Sequence, residues 1–258
     1  MVFQILGDKM KIKSFNESEA QFIASEIILK RLAIAPKNKN CKLHYSPRLN
    51  ETLRNIESLE KTWEYLPETK KPSFGQKVSR EQIRFWSVPP MSARVLAYLS
   101  LYTDSKKVLE LGTSAGYSTL HLANAMGYTG GKVHTVEILK DKSKLAKENF
   151  KHAGLENKIR LLHGDASDIL PNWREGKIDL VFLDADKENY GKYFDQLMPL
   201  MSQNGIIVAD NINDYGHLMV DYLQKVTGTH LPRSRCDSRV TSTYVAQLDN
   251  GFMITRKL

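Results

Sequence analysis

The sequence predicts a doubly wound α/β fold with a mostly parallel sheet of seven strands. From residue 106 onward, five short apolar runs alternate with amphipathic helical segments, a pattern typical of parallel strands covered by helices on both faces. Asp249-Asn250-Gly251 lies between two further strand-like runs and predicts an antiparallel C-terminal hairpin. Before residue 106, helical periodicity alternates with polar loops, which predicts a helical N-terminal extension.

Each element follows from its local pattern. Apolar spacing and capping residues predict N-terminal helices over Ser14–Leu32, Pro47–Tyr65 and Pro90–Tyr102. Short apolar runs predict parallel strands over Lys107–Leu111, Lys132–Glu137, Ile159–His163, Ile178–Leu183 and Ile206–Ala209, and hairpin strands over Ser242–Leu248 and Gly251–Arg256. The intervening helices are predicted over Tyr117–Ala125, Lys142–Ala153, Asn189–Met201 and Tyr215–Val226.

The charge, the apolar stretches and the cysteines of the chain limit the partners and the cellular compartment that it is expected to have. The 258 residues carry a net charge of +8, and residues 1–100 hold most of the excess, with 17 basic and 10 acidic side chains. A solvated basic face explains this excess, and an anionic partner is the alternative. No apolar stretch is long enough to span a bilayer, and the opening residues lack the features of a secretory signal. Cys41 and Cys236 are far apart and are expected to be free thiols in a reducing cytoplasm.

A glycine-containing turn follows the first predicted strand, in the segment Glu110-Leu111-Gly112-Thr113-Ser114-Ala115-Gly116-Tyr117-Ser118. Gly112 allows a ligand to approach the backbone, and Gly116 lets the next helix begin tightly against the strand. Ligands of open parallel sheets bind beyond the carboxyl ends of the strands, although a turn without a ligand is the alternative. The spacing is not Gly-x-Gly-x-x-Gly, which disfavours a nicotinamide cofactor.

Acidic residues end the second and third predicted strands. Glu137 comes roughly 20 residues after the turn, where a carboxylate can accept hydrogen bonds from a ribose diol. Asp165 and Ala166 follow the third strand, and there an acid and a backbone amide can contact an adenine. Simple solvation of Glu137 and helix capping by Asp165 are the alternatives, and capping is compatible with binding.

The fourth and fifth predicted strands end in oxygen ligands. Asp184 follows the fourth strand, and Asp210 and Asn211 follow the fifth. Carboxylate and amide oxygens suit a hard divalent cation such as Mg²⁺, with Mn²⁺ or Ca²⁺ as other candidates. The sequence therefore predicts a metal site, while helix capping or contact with a cofactor amine is the alternative.

Taken together, these segments resemble the cation-dependent O-methyltransferases. These are class I S-adenosylmethionine-dependent enzymes similar to caffeoyl-coenzyme A and catechol O-methyltransferases. The resemblance covers roughly residues 86–258. It rests on the turn from Glu110 to Ser118, Glu137, Gly164-Asp165-Ala166, the run Leu183-Asp-Ala-Asp-Lys-Glu-Asn-Tyr190 and Asp210-Asn211. The run with its later Asp-Asn pair is the most specific part.

The resemblance implies a Rossmann-like methyltransferase fold and methyl transfer from S-adenosylmethionine to a hydroxyl of a small catechol-like or other vicinal-oxygen acceptor. It implies a divalent cation held by Asp184, Asp210 and Asn211, and Lys187 as general base, with Asp184 also catalytic. A solvated lysine or a salt bridge to Asp186 is the alternative for Lys187. The implied cofactor contacts are Glu110, Gly112, Thr113, Gly116, Ser118, Glu137, Asp165, Ala166, Asp184 and Asp186.

We expect two regions: an N-terminal extension over residues 1–85, acting as an acceptor-site lid or in dimer contacts, and an S-adenosylmethionine-binding methyltransferase domain over residues 86–258. The expected protein is a cytoplasmic homodimer that binds no membrane, and nucleic acid is a disfavoured partner that the sequence leaves open. After Asn211 the chain lacks the Leu-Trp-x-Gly stretch and insertion of the plant enzymes, so its acceptor pocket must be built differently. Candidate aromatic residues, which could instead be core or dimer contacts, are Trp63, Tyr65, Phe74, Phe85 and Trp86.

The sequence leaves two alternative functions open. Bacterial relatives within the resembled family methylate a hydroxyuridine of transfer RNA, and the basic N-terminal region would then contact phosphates. A non-catalytic regulatory protein could bind the cofactor alone and would tolerate loss of Asp210 and Asn211. Because both residues are present, an enzyme is favoured.

Overall fold

The computed structural model describes residues 17–38, 40–64, 84–227, 237–246, 248 and 250–258, without the side chains of residues 17–23, 63 and 64. It contains a seven-stranded sheet, as predicted. The strands are β1 (Lys107–Leu111), β2 (Lys132–Glu137), β3 (Ile159–His163), β4 (Ile178–Leu183), β5 (Met201–Ala209), β6 (Val240–Val245) and β7 (Phe252–Lys257).

Nine α-helices accompany the sheet in the described part of the chain. They are α1 (Glu17–Arg31), α2 (Pro47–Glu64), α3 (Pro90–Tyr102), α4 (Tyr117–Thr129), α5 (Lys140–Ala153), α6 (Ala166–Ile169), α7 (Tyr190–Leu197), α8 (Ile212–Tyr215) and α9 (Val220–Thr227). No described helix is long and apolar enough to cross a membrane.

The strand order is β3-β2-β1-β4-β5-β7-β6. Strands β1 to β5 are parallel, whereas β7 runs antiparallel to both β5 and β6. The order reverses between β1 and β4, and the carboxyl ends of the five parallel strands therefore share one edge of the sheet. A crevice for a ligand is expected at this edge.

Both faces of the sheet are covered, because alternate strand residues point to opposite sides. On β4, Leu180 and Phe182 belong to the core beneath α1 to α5, whereas Val181 and Leu183 belong to the core beneath α6, α7 and α9. Helix α1 packs on α3, and α2 packs on α4 and α5. The predicted division of the chain at residue 85 stays a prediction.

Several element boundaries differ from the sequence prediction, most of all around β5 and directly after it. Strand β5 begins at Met201 instead of Ile206, because Met201 pairs with Ile178 before a register shift, and α7 accordingly ends early, at Leu197. The single helix predicted over Tyr215–Val226 was wrong. Two backbone bonds hold the start of α8 to the hairpin, from the amides of Ile212 and Asn213 to the carbonyls of Gly251 and Asn250. A short 3₁₀ turn, Gly216–Leu218, then separates α8 from α9.

Candidate active site

The glycine turn lies between β1 and α4, at the carboxyl edge of the sheet. Gly112 has a φ of +102°, and a Cβ at this position would overlap the carbonyl oxygen of Asp184. Gly116 has a φ of +85°, and a Cβ there would overlap the Phe150 ring. Both positions therefore require glycine, and the turn is pressed closely against the end of β4.

The buried carboxylate of Glu110, near the end of β1, is hydrogen-bonded to residues around this turn. Glu110 is fully buried and accepts hydrogen bonds from the hydroxyls of Ser118 (2.6 Å), Thr135 (2.6 Å) and Thr119. Burial raises the pKa of Glu110 to about 7, although these hydroxyls oppose the rise. Thr113 joins the same network through Thr135, at 2.6 Å. Glu110 and Ser118 are thus hydrogen-bonded to each other. The cofactor contact that the resemblance implies for both residues stays a prediction.

Glu137 ends β2 beside the turn. One carboxylate oxygen accepts a 2.8 Å hydrogen bond from the backbone amide of Ser114, and the other accepts one of 2.8 Å from the amide of Leu139. Glu137 is therefore held in a fixed orientation next to the turn. Each carboxylate oxygen can accept a further bond, so the predicted contact with a ribose is compatible with this geometry.

Asp165 has the capping role that the sequence offered as an alternative. Its carboxylate accepts a 2.7 Å hydrogen bond from the backbone amide of Ser167, at the start of α6. The side chain is exposed, whereas Ala166 is buried. A capping carboxylate keeps spare acceptor sites, so the proposed contact with an adenine is not in conflict with the cap.

Asp184 and Asp210 lie at the ends of adjacent strands. Leu183 of β4 pairs with Ala209 of β5, and the next residue of each strand is the aspartate. The amide of Asp210 donates to the carbonyl of Leu183 at 3.1 Å. Asn211 follows in a left-handed conformation, with φ of +66°, and its amide donates to Asp210 Oδ1 at 2.6 Å. The three predicted ligands are therefore neighbours at one edge of the sheet.

No described group of three or more His, Cys, Asp or Glu side chains could hold a metal ion. The predicted set contains only two carboxylates, and its third member, Asn211, would contribute an amide oxygen. A divalent cation at this position stays a prediction.

Lys187 is an ion-pair partner of Asp184 and not of Asp186. Its Nζ lies 2.6 Å from Asp184 Oδ1 and 3.0 Å from the hydroxyl of Tyr190. Asp186 instead accepts hydrogen bonds from Tyr193, at 2.5 Å, and from Asn189. The lysine is thus directed toward the strand-end carboxylate of Asp184.

Tyr190 is a functional candidate that sequence reasoning did not assign. Its hydroxyl donates a 2.9 Å hydrogen bond to the carbonyl of Leu183 and accepts one from Lys187. Burial and the nearby charges of Asp184 and Asp210 raise the pKa of Tyr190 well above its ordinary value, so this hydroxyl keeps its proton. The three-residue spacing from Lys187 was the available signal, because residues three apart on a helical turn are neighbours.

The N-terminal aromatic candidates have different environments. Phe85 is a buried core residue, as the alternative interpretation held, whereas Trp86 is 59% exposed. Trp63, Tyr65 and Phe74 lie outside the side chains that the structure describes. A second residue missed from the sequence is Lys142 of α5, which is buried beside Trp86.

Comparison with known proteins identifies the family. A family model described as O-methyltransferase matches residues 64–258. The chain belongs to the O-methyltransferase family. An O-methyltransferase from Bacillus cereus, solved in complex with SAH, has a TM-score of 0.62 and 22% identity, over 93% of this chain and 99% of that chain. At this identity the likeness shows that the two proteins share the fold.

Curated relatives in the O-methyltransferase family are similar over shorter segments. The catechol O-methyltransferase of Niastella koreensis is 38% identical over 129 residues, which cover 49% of this chain and 58% of the relative. The flavonoid 3',5'-methyltransferase of Vitis vinifera is 30% identical over 197 residues, which cover 69% of this chain and 83% of the relative. This chain therefore spans little more than half the length of the first of these relatives.

Proposed function

We propose that this O-methyltransferase transfers a methyl group from S-adenosylmethionine to one hydroxyl of a small acceptor with vicinal oxygens, with help from a divalent cation. The observation that carries the proposal is the position of Asp184 and Asp210 at adjacent strand ends, with Lys187 paired to Asp184, beside the glycine turn and Glu137. The names of the catechol and flavonoid relatives support the acceptor class, and the SAH-bound relative supports the methyl donor.

The proposed donor site follows the carboxyl edge of the sheet from β1 to β3. When bound, S-adenosylmethionine supplies an electrophilic methyl group on its sulfonium. The turn from Gly112 to Ser118 would surround the methionine end, and the oriented carboxylate of Glu137 would accept hydrogen bonds from the ribose diol. Asp165 and the backbone at Ala166 would contact the adenine.

The residues at the ends of β4 and β5 fit a hard cation. Asp184, Asp210 and Asn211 offer carboxylate and amide oxygens, the ligands that Mg²⁺ and Mn²⁺ accept in proteins. A bound divalent cation would lower the pKa of the acceptor hydroxyl and orient it. The chain itself supplies the fixed positions of these oxygens, because β4 and β5 are held in register by backbone hydrogen bonds.

Lys187 is positioned to move a proton beside this edge. Asp184 and Tyr190 both bind its Nζ, which fixes the lysine among the strand-end oxygens. After releasing its own proton to solvent, Nζ would accept the proton that the acceptor hydroxyl loses during methyl transfer. Tyr190, which stays protonated, would hold Nζ in place without competing for that proton.

Methyl transfer to small acceptors tests this function. The purified protein is incubated with S-adenosylmethionine, Mg²⁺ and either catechol or phenol, and the products are detected by mass spectrometry. We expect mono-O-methylated catechol and little methylated phenol, because only catechol presents two adjacent oxygens. Methylation of transfer RNA with no methylation of catechols would contradict the proposal and favour the RNA alternative.

A further inference from the structure

Lys142 lies on the buried face of α5. Only 8% of the residue is exposed, and it shares this face with Leu145, Ala146, Asn149 and Phe150, which follow at helical spacing and are also buried. A lysine in this series is unusual, because lysine side chains are mostly exposed to solvent. Its neighbour Lys144 is exposed, as expected for a helical lysine.

The ammonium of Lys142 lies at the glycine turn. Nζ is 3.2 Å from the hydroxyl oxygen of Ser114 and 4.5 Å from the centre of the Trp86 ring. The Ser114 hydroxyl in turn donates to the carbonyl of Phe85, and the guanidinium carbon of Arg84 is 5.2 Å from the same indole ring. The segment before α3 therefore covers this lysine and holds it against the turn.

Lys142 forms no ion pair with any residue in the described part of the chain. The carboxylate of Glu137, whose charge acts on Lys142, accepts hydrogen bonds from the amides of Ser114 and Leu139 instead. Burial lowers the pKa of Lys142, and the negative charges of Glu137, Asp184 and Glu60 oppose this effect. A buried cation without a paired anion is unfavourable, and an anionic ligand would remove that cost.

We propose that Lys142 binds the carboxylate of the methyl donor's methionine group. This inference rests on the proposed function, which puts the methionine end at the turn from Gly112 to Ser118. The ammonium would donate a charge-assisted hydrogen bond to the carboxylate, and Ser114 would be the adjacent hydroxyl. The Trp86 ring would hold Nζ in place by a cation–π contact.

Binding of donors with and without the carboxylate tests the assignment. Isothermal titration calorimetry measures S-adenosylmethionine and decarboxylated S-adenosylmethionine against the wild type, Lys142→Met and Lys142→Arg. We expect Lys142→Met to weaken binding of S-adenosylmethionine about tenfold or more and to leave binding of the decarboxylated donor within about twofold. Lys142→Arg should retain part of the preference for the carboxylate. Lys144→Met, on the exposed face of the same helix, is the matched control and should bind both donors as the wild type does.

The unliganded protein gives a second readout. Because Lys142→Met removes a buried charge and keeps the aliphatic stem, its melting temperature without ligand should be at or above that of the wild type. The rise in melting temperature caused by S-adenosylmethionine should be smaller in this variant. A folded Lys142→Met protein is thereby distinguished from one that fails to bind because it is misfolded.

Several results would overturn the assignment. Equal loss of affinity for both donors would mean that Lys142 acts elsewhere in the site. Unchanged donor affinity with a raised KM for an acidic acceptor would assign the lysine to the acceptor's anion. A wild-type protein that binds both donors equally well would contradict this inference alone, whereas one that binds neither donor would contradict the proposed function.

Discussion

The ammonium of Lys187 lies 2.6 Å from Oδ1 of Asp184, three residues earlier in the chain. The pair is mostly buried, with 15% of the lysine side chain and 21% of the aspartate side chain exposed. Tyr190 binds the same ammonium from the next helical turn. This fixed Nζ is the arrangement that the general-base role proposed for Lys187 requires.

Replacing Lys187 by Met should lower kcat about tenfold to a hundredfold. A positioned base commonly contributes at least this much to the rate. The variant should keep some turnover, because solvent can also take the proton from the acceptor hydroxyl. Steady-state kinetics and calorimetry with S-adenosylhomocysteine should show reduced kcat and nearly unchanged affinity. Lys192→Met, an exposed lysine on α7, is the control. A Lys187→Met enzyme with wild-type kcat would show that the lysine only neutralises Asp184.

Replacing Glu137 by Ala should weaken binding of S-adenosylhomocysteine at least about tenfold, since a hydrogen bond to a buried charged acceptor contributes roughly 1.5–3 kcal/mol. The same change removes the acceptor for the Ser114 and Leu139 amides, so Glu137→Gln, which keeps one acceptor oxygen, serves as the milder variant. Glu148→Gln, exposed on α5, is the control. Wild-type affinity in both Glu137 variants would remove the ribose assignment.

Glu110 should make stability depend on pH. Burial raises its pKa from 4.5 to about 7, so between these values the folded state binds more protons than the unfolded state. The stabilisation is present below about pH 4.5 and is lost as the pH rises through about 7.

Glu110→Gln mimics the neutral acid and removes this titration. Urea unfolding from about pH 5 to about pH 8 should show the variant gaining up to about 3 kcal/mol relative to the wild type. Parallel stability curves for the two proteins would contradict the raised pKa.

Local sequence patterns predicted the sheet well. The first four strands were predicted with their observed bounds. Three of them, β1, β3 and β4, are largely apolar runs bounded by polar or glycine residues, and β2 begins directly after Gly131. The positions of Glu137 and Asp184 followed directly from those strand ends, and the position of Asp210 followed from the predicted end of β5 at Ala209. These strands could be predicted because strands of a parallel sheet, which are buried on both faces, have short and mostly hydrophobic sequences.

The remaining features depend on contacts between distant residues. The anchoring of α8 to the hairpin depends on backbone bonds of Ile212 and Asn213 to Gly251 and Asn250, which no local pattern encodes. The burial of Lys142 depends on Trp86, more than 50 positions earlier in the sequence. Its spacing with Leu145 and Asn149 was the available signal, and α5 carries too many lysines for that signal to be distinctive.

The central claim is that a cation held by Asp184, Asp210 and Asn211 promotes methyl transfer. Whether methyl transfer requires a metal ion tests this claim most directly. Methylation of catechol is measured after treatment with excess chelator and after return of Mg²⁺ or Mn²⁺, for the wild type, Asp210→Ala and the exposed control Asp214→Ala. We predict that chelation abolishes turnover reversibly in the wild type and control. Asp210→Ala should show almost no turnover with metal yet bind S-adenosylhomocysteine nearly as the wild type does, because the cation acts on the acceptor's oxygen. Full wild-type activity in excess chelator would contradict the claim and identify a metal-independent methyltransferase.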